Sequence, residues 1–438
     1  MKKKQHSVVS WIGLGLLLCV VPSASADVAV GDVIDKSSWE KIQGMVPDPV
    51  LEWYKTGRYI TSVGELNYDV DKCLPKYVYE RAEGNSGKYG VNENNELIIA
   101  ATGELATDVV GLPFPQIDPK DPKAGVKIVY NGTFVRMFNG NARWPGMVGH
   151  YVSTSRHERD VVVDMRTAPF LGWPGIAEMK NPQGFQEQYV LKVVSPYDLA
   201  GTAVLTWRYF GMKPDMTFGY VPAIRRVRRM SPANRSDAMF GSDFSADDTG
   251  YIGYDGKVPY FEFKLVGEGE ALGMFFGKDM VQCVRDQLGV LTSTEPPGLD
   301  FKVGYEVEGW QGALWAPATK DVFFVKRPVW KVECISKDPF YNYGKQSMWI
   351  DKEFFCSFYK QIFDHSDEHW KVWYDIWNVA VSEKDAFSIP YFRMVTIVDE
   401  RAGHASAFEC VYEKSPAYYF VKEDADVYSL GGFQRYCK

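Results

Sequence analysis

Histidine and cysteine are scarce in this chain, six and seven residues in 438. With them goes most of the machinery by which soluble enzymes activate a nucleophile or hold a metal. There is no GxSxG elbow, no HExxH pair and no glycine-rich phosphate loop, which argues against the common serine hydrolases, zincins and nucleotide-dependent enzymes. The cysteines form no CxxC pair, so a cysteine-built zinc site is not expected. His365 and His369 have HxxxH spacing, but their local pattern is a turn between strands, where that spacing does not place both rings on one face. No metal, no cofactor and no catalytic residue is therefore expected. A net charge of −7 disfavours nucleic acid as a partner. No segment beyond the N-terminus is long and apolar enough to span a membrane.

What is present begins with a basic start at Lys2, Lys3 and Lys4, an apolar run from Val8 to Val21, and the small residues Ala24-Ser25-Ala26. Together these read as a cleavable export signal over residues 1–26, placing the mature protein, from Asp27, in the periplasm. Cys19 follows Leu16-Leu17-Leu18, which lacks the small residues of a lipid-anchoring site. Six cysteines remain, Cys73, Cys283, Cys334, Cys356, Cys410 and Cys437. In an oxidising compartment they are expected to pair as disulfides, with the connectivity left open.

Aromatic residues make up 15% of the chain and sit mostly in strand-like stretches. They fit either an ordinary sheet core or a curved sheet whose greasy inner face holds a ligand. Residues 27–125 read as an irregular N-terminal region with short helices at Ser37 to Met45 and Pro49 to Thr56, and one strand-like piece at Leu97 to Thr102. From 126 to 438 strand-like runs follow one another: Val126 to Phe138, Arg159 to Thr167, Glu187 to Ser195, Thr202 to Phe210, Tyr220 to Met230, Pro259 to Val266, Val322 to Ile335, Gln346 to Ile350, Phe354 to Phe363, His369 to Val381, Tyr391 to Asp399 and Ala407 to Tyr412. Turns between them are short, so the fold class is mainly β (α+β), an antiparallel meander too long to stay flat. The outcome is a large curved half-barrel with a few covering helices, of which Gly277 to Leu291 is the best later candidate.

Two charged groups stand out. Asp243, Asp247 and Asp248 lie in a Ser-rich turn, where they either bond their own backbone or act as paired carboxylates. Arg225, Arg226, Arg228 and Arg229 fall in one strand-like run. They either pair internally with those aspartates or contact an anionic headgroup or an acidic partner surface.

Gly111-Leu112-Pro113-Phe114-Pro115, Asp121-Pro122, Ala124-Gly125 and Lys127 to Asn131 resemble the signature of exported bacterial proteins grouped as domain of unknown function 1329 (DUF1329). Leu205 to Tyr209, Tyr220 to Arg229, Tyr343-Gly344-Lys345 and Trp349-Ile350-Asp351 resemble it in the same order. Gly241 to Ser245 and Trp349 to Asp351 are also similar to the outer-membrane lipoprotein-sorting (Lol-type) carriers. The resemblance implies a half-open barrel whose apolar concave face shields an acyl chain. It also implies an envelope transporter of the resistance-nodulation-division type as partner and contact with the outer membrane. The chain is about twice the size of the Lol carriers, which counts against lipoprotein itself as cargo.

The expected function is thus a non-enzymatic periplasmic carrier or receptor for lipid or other hydrophobic molecules. Strand alternation names Trp207, Phe261, Phe263, Leu265, Trp330 and Val332 as lining residues, without choosing which face of the sheet they occupy. Two other classes are an exported hydrolase for lipid or polyester, using the Asp243 to Asp248 group and a His, and an envelope scaffold binding through the arginine strand.

Overall fold

Runs such as Phe261-Glu262-Phe263-Lys264-Leu265 alternate apolar and charged side chains, so one face of an extended chain can be buried while the other meets water. A computed structural model of the protein describes residues 28–231, 235–294, 296, 298–410, 416–422 and 425–438. The export signal and Asp27 lie outside the described residues.

Thirteen strands form the main ladder: β1 Ala142–Ser153, β2 His157–Pro169, β3 Phe185–Ser195, β4 Ala203–Tyr209, β5 Met216–Val221, β6 Arg226–Arg229, β7 Phe261–Phe276, β8 Val322–Ser336, β9 Lys345–Asp351, β10 Ser357–Phe363, β11 His369–Ser382, β12 Phe387–Asp399 and β13 His404–Glu409. Antiparallel pairing runs β6-β5-β4-β3-β2-β1-β13-β12-β11-β10-β9-β8-β7. The far end of β7 then meets β11 in parallel, Met274 opposite Ile376, which closes β7 to β11 into a ring. The other strands remain an open, curved sheet, so the protein is a half-barrel with few helices. The helices are α1 Asp48–Lys55, α2 Lys76–Asn85, α3 Ala124–Val135 and α4 Leu430–Cys437. Among the described residues no helix is long and apolar enough to cross a membrane.

Both faces of the sheet are covered. On the outer face Tyr374 packs against Trp53 of α1 and Trp315, at 5.7 and 5.9 Å between ring centroids. On the inner face lie α3 and the segment 235–260, with Tyr251 set 5.4 Å from Trp377. The N-terminal region is built into the same sheet, since Thr61–Val63 pairs in parallel with β8.

Four expectations are overturned. Val126 to Phe138 is not a strand but α3 and a following 3₁₀ turn. Its Val, Ile and Phe residues favour strands, yet the segment is buried on every side, which erases helical periodicity and lets tertiary packing override propensity. Gly125 lets the helix touch β7, because a Cβ there would come within 2.8 Å of the Leu265 backbone nitrogen. Gly277 to Leu291 is not a helix; Val281–Arg285 and Leu291–Ser293 pair as a hairpin. Asp286 holds its turn by accepting from the Leu288 and Val290 amides. The run Tyr220 to Met230 is not one strand, because Pro222 and a left-handed Arg225 (φ +50°) fold it into the β5–β6 hairpin. Finally, all six cysteines are free and buried in six different segments, so they act as small apolar core residues, not crosslinks. The expected final strand, Ala407 to Tyr412, is seen as β13, and residues 411–412 lie outside the described residues.

The quoted family motif has a structural task. Asn131 of α3 accepts from the Phe114 amide (3.1 Å) and donates to its carbonyl (2.7 Å), so the Gly111–Pro115 turn is clamped to the central helix. The segment 235–260 is fixed by buried charge. Asp255 accepts from Arg136 of α3 (2.7 Å) and Arg208 of β4 (2.8 Å). Asp215 accepts from Arg208 and Lys257, both 3.1 Å. Asp247 accepts from Arg235 (2.6 Å) and Tyr341 (3.0 Å). Asp248 pairs with Lys360 of β10 and accepts from Tyr343 (2.7 Å). Burial works against the charges of Asp248 and Asp255, but Lys360 for the former and Arg136 and Arg208 for the latter hold both carboxyls below the ordinary aspartate range.

Two stability predictions follow from this packing. Gly125→Ala forces α3 off β7 and should cost about 1–3 kcal/mol, read as a lower denaturant midpoint; an unchanged midpoint would contradict the helix–strand contact. Lys360→Met strands a fully buried Asp248 and should cost about 3–5 kcal/mol. The double variant Lys360→Met/Asp248→Leu should recover part of that loss, whereas an equal or greater loss would show that the pair is not coupled.

Candidate functional site

The register of β1 to β5 lays two rows of side chains across the inner face. Trp144, Met165, Leu191, Val204 and Gly219 are successive cross-strand partners and form an apolar row. Beside it Thr167, Tyr189, Thr206 and Thr217 form a row with hydroxyls. Gly219 is the low point, since no side chain rises there to fill the space.

Over these rows the roof segment 235–251 does not close completely. One cavity of about 110 Å³ lies between Trp144, Met147, Val163 and Met165 on the floor, Phe240 and Tyr251 in the roof, and Phe392, Val395 and Phe408 of β12 and β13 at the back. A second, of about 360 Å³, continues over Tyr189, Val204, Thr206, Thr217 and Gly219. Arg136, Met165, Leu191, Met239, Phe240, Thr249 and Gly250 line both, so the two form one crevice interrupted by flexible apolar side chains. Protein interiors rarely leave such gaps. At about 24 cal/mol per Å³, the smaller cavity alone forgoes about 2.6 kcal/mol of packing.

The crevice is apolar at one end and polar at the other. Arg136, Arg235, Asp237 and Asp255 stand at the larger cavity. In the apolar end two polar atoms have no hydrogen-bond partner, Asp375 Oδ1 and Trp144 Nε1. Burial pushes the Asp375 carboxyl well above the ordinary aspartate range, so it is an uncharged acid at neutral pH. A neutral carboxyl and an indole N–H can serve a ligand's hydrogen-bonding group without placing charge in an apolar pocket.

None of the six residues named from strand alternation lines either cavity. Phe261 and Phe263 face inward, but Tyr254 packs on both at 5.1 and 5.3 Å. Leu265 lies against α3, Val332 is fully buried, and the Trp330 ring lies under the Lys352 ammonium at 4.2 Å. The structure therefore keeps these five together on β7 and β8, where the half-barrel is solid. Trp207 points to the opposite face from Thr206 and donates to the Tyr428 carbonyl (2.8 Å), tying down the C-terminal segment. Signals for the true lining were present: Val161, Val163 and Met165 alternate in a run read as a strand, and Met239-Phe240 is an apolar pair inside a polar loop.

The charged groups are also rearranged. Arg226, Arg228 and Arg229 are exposed on β6, which pairs only with β5, and Arg225 is exposed in the turn before it. Among the described residues none of the four forms an ion pair, because Asp247 and Asp248 are taken by Arg235 and Lys360. Asp243 accepts from both His404 Nδ1 (2.6 Å) and Ser406 Oγ (2.8 Å) through one oxygen, Oδ2. The serine is thus bonded to the carboxylate, not to the histidine, and no nucleophile–base pair is assembled. His365 and His369 each engage a backbone carbonyl, of Tyr341 and of Lys371.

Comparison with solved structures gives distant likenesses. A domain described as an outer membrane lipoprotein-sorting protein from Vibrio parahaemolyticus is 13% identical, covering 72% of this chain and 100% of its own, with a TM-score of 0.46. A DUF1329 family protein from Desulfovibrio piger is 16% identical over 72% of this chain and 99% of its own, also with a TM-score of 0.46. A LolA superfamily protein from Nitrosomonas europaea is 10% identical over 70% of this chain and 97% of its own, with a TM-score of 0.38. No curated protein matches the sequence. The family model described as "Protein of unknown function (DUF1329)" matches residues 33–432, and by that match, over nearly its whole length, the chain belongs to the DUF1329 family.

Proposed function

We propose that this protein is a non-enzymatic periplasmic carrier or receptor for a lipid or other hydrophobic molecule, working with an envelope transporter of the resistance-nodulation-division type. The observation that carries the reading is the unfilled apolar crevice under the 235–251 roof. Its larger part, at 360 Å³, falls in the range of about 300–1,000 Å³ typical of small-molecule sites. Each methylene exposed to water costs about 0.8 kcal/mol, so a dozen carbons cost about 10 kcal/mol unless a cavity covers them. Met147, Met165, Met230 and Met239 line the two cavities, and methionine adapts to guests of differing shape. Outside the cytoplasm there is no nucleotide energy for release, so cargo passes down a gradient of affinity or is driven by the transporter.

The arginine edge supports a second part of the proposal. Arg225, Arg226, Arg228 and Arg229 stand beside exposed Val221, Ile224 and Met230, a mixture suited to anionic headgroups at a membrane surface. The six alternation-named residues support this role only by holding the closed half of the barrel rigid.

Leu191→Trp fills the crevice at the junction of its two parts. It should weaken binding of a fluorescent naphthylamine probe by at least tenfold while leaving the melting temperature within a few degrees, and equal binding by the variant would remove the crevice as the site. Reversing Arg226, Arg228 and Arg229 to Glu should abolish sedimentation with phosphatidylglycerol vesicles, at about 1 kcal/mol per arginine. Binding should also fall with salt in the unmodified protein. Salt-independent binding, or binding that survives the reversal, would move the contact elsewhere.

A further inference from the structure

On the outer face of the sheet, turned away from the crevice by strand alternation, three side chains of β1 and β2 converge. His150 lies opposite Asp160 in the register, and His157 reaches back from the start of β2. Asp160 Oδ1 is 2.9 Å from His150 Nδ1 and 2.7 Å from His157 Nε2. All three atoms lie within 4.8 Å of one another. Two of the six histidines of the chain are thus brought to one carboxylate oxygen.

The surroundings fit a ligand sphere. Tyr305, from the segment between β7 and β8, stacks on His157 at 4.1 Å and 13° and places its hydroxyl 2.9 Å from His150 Nδ1. That single ring nitrogen therefore has two polar neighbours at 2.9 Å but only one proton or one lone pair to give. An ion at this point would accept its lone pair and resolve the conflict. Behind the ring, Glu409 Oε1 stands 3.2 Å from His150 Nε2, off the N–H direction, and Glu409 is itself held by Arg393 at 3.0 Å. Carboxylate on the far nitrogen of a ligating imidazole is the usual support of a metal-bound histidine. His150 is buried while Asp160 is exposed, which gives an ion a way in.

We propose that His150 Nδ1, His157 Nε2 and Asp160 Oδ1 bind a divalent first-row metal ion of the zinc class, with the fourth position toward Tyr305 completed by its hydroxyl or by water. Zinc takes nitrogen and carboxylate oxygen at about 2.0–2.2 Å in a tetrahedron, so the three atoms need only spread by a few tenths of an ångström. The ion would staple the segment around Tyr305 to the β1–β2 hairpin. The site departs from the expectation of no metal, and sequence spacing gave no hint of it because the ligands meet across strands and not along a helix.

The test uses the mature chain, stripped with chelator and titrated with zinc chloride by calorimetry, and with cobalt(II) followed in the visible spectrum. One ion per chain is expected, with the intense cobalt bands of tetrahedral coordination. His157→Asn and Asp160→Asn should each weaken zinc binding at least tenfold, and Glu409→Gln by about 10–100-fold with stoichiometry unchanged. His369→Asn, on a distant hairpin, should have no effect. His157 and Asp160 are at the surface, and circular dichroism of the metal-free variants verifies their fold. Absence of saturable one-to-one binding, or binding unaltered by His157→Asn, would overturn the proposal.

Discussion

A set of buried charges holds this protein's hollow open. Arg136, Arg208, Arg235 and Lys257 face Glu187, Asp215, Asp247 and Asp255 in one contiguous group, four of each sign. Taking an ion out of water costs several kcal/mol, and partners repay it only when the geometry is complete. The segment 235–257 therefore has one way to sit on the sheet. If that roof were held by apolar contacts alone, the cheapest response to an empty space would be to collapse into it. Pinned by Arg235–Asp247 and Lys360–Asp248, it stands above the floor of β1 to β5 instead. Its apolar pair, Met239 and Phe240, hangs over the crevice.

The same sheet serves two purposes. Where β7 to β11 close into a ring, α3 and Tyr254 fill the interior and the structure is solid. Where β1 to β5 open out, no helix enters, and the space is left to the roof. Arg136 connects the halves, since it belongs to the turn after α3, pairs with Glu187 of β3 and lines both cavities. Rigidity in one half thereby fixes the width of the hollow in the other.

Much of the ladder was legible from alternation, because a half-buried strand must repeat every two residues. The runs read around Arg159 to Thr167, Glu187 to Ser195 and His369 to Val381 correspond to β2, β3 and β11. Alternation fails where burial is complete, and α3 is the instance: a helix apolar on all sides looks like a strand of the same composition. The site was less legible. Phe261 and Phe263 do face inward, but nothing in their own sequence reports that Tyr254, from the neighbouring segment, occupies the space in front of them. Arg208 and Asp255 are 47 residues apart, and the partnership between them is a property of the folded sheet alone. The arginine run and the aspartate turn were each visible, while their separation into an exposed edge and an interior lattice depended on Arg235 and Lys360 capturing the aspartates first.

The account stands on the crevice holding a guest. Protein isolated from the cell envelope without detergent, extracted with organic solvent and analysed by mass spectrometry, tests this most directly when Leu191→Trp protein is prepared alongside. One class of hydrophobic molecule, near one per chain in the unmodified protein and absent from the variant, is the result the account predicts. No associated hydrophobe, or the same amount in both preparations, would contradict it.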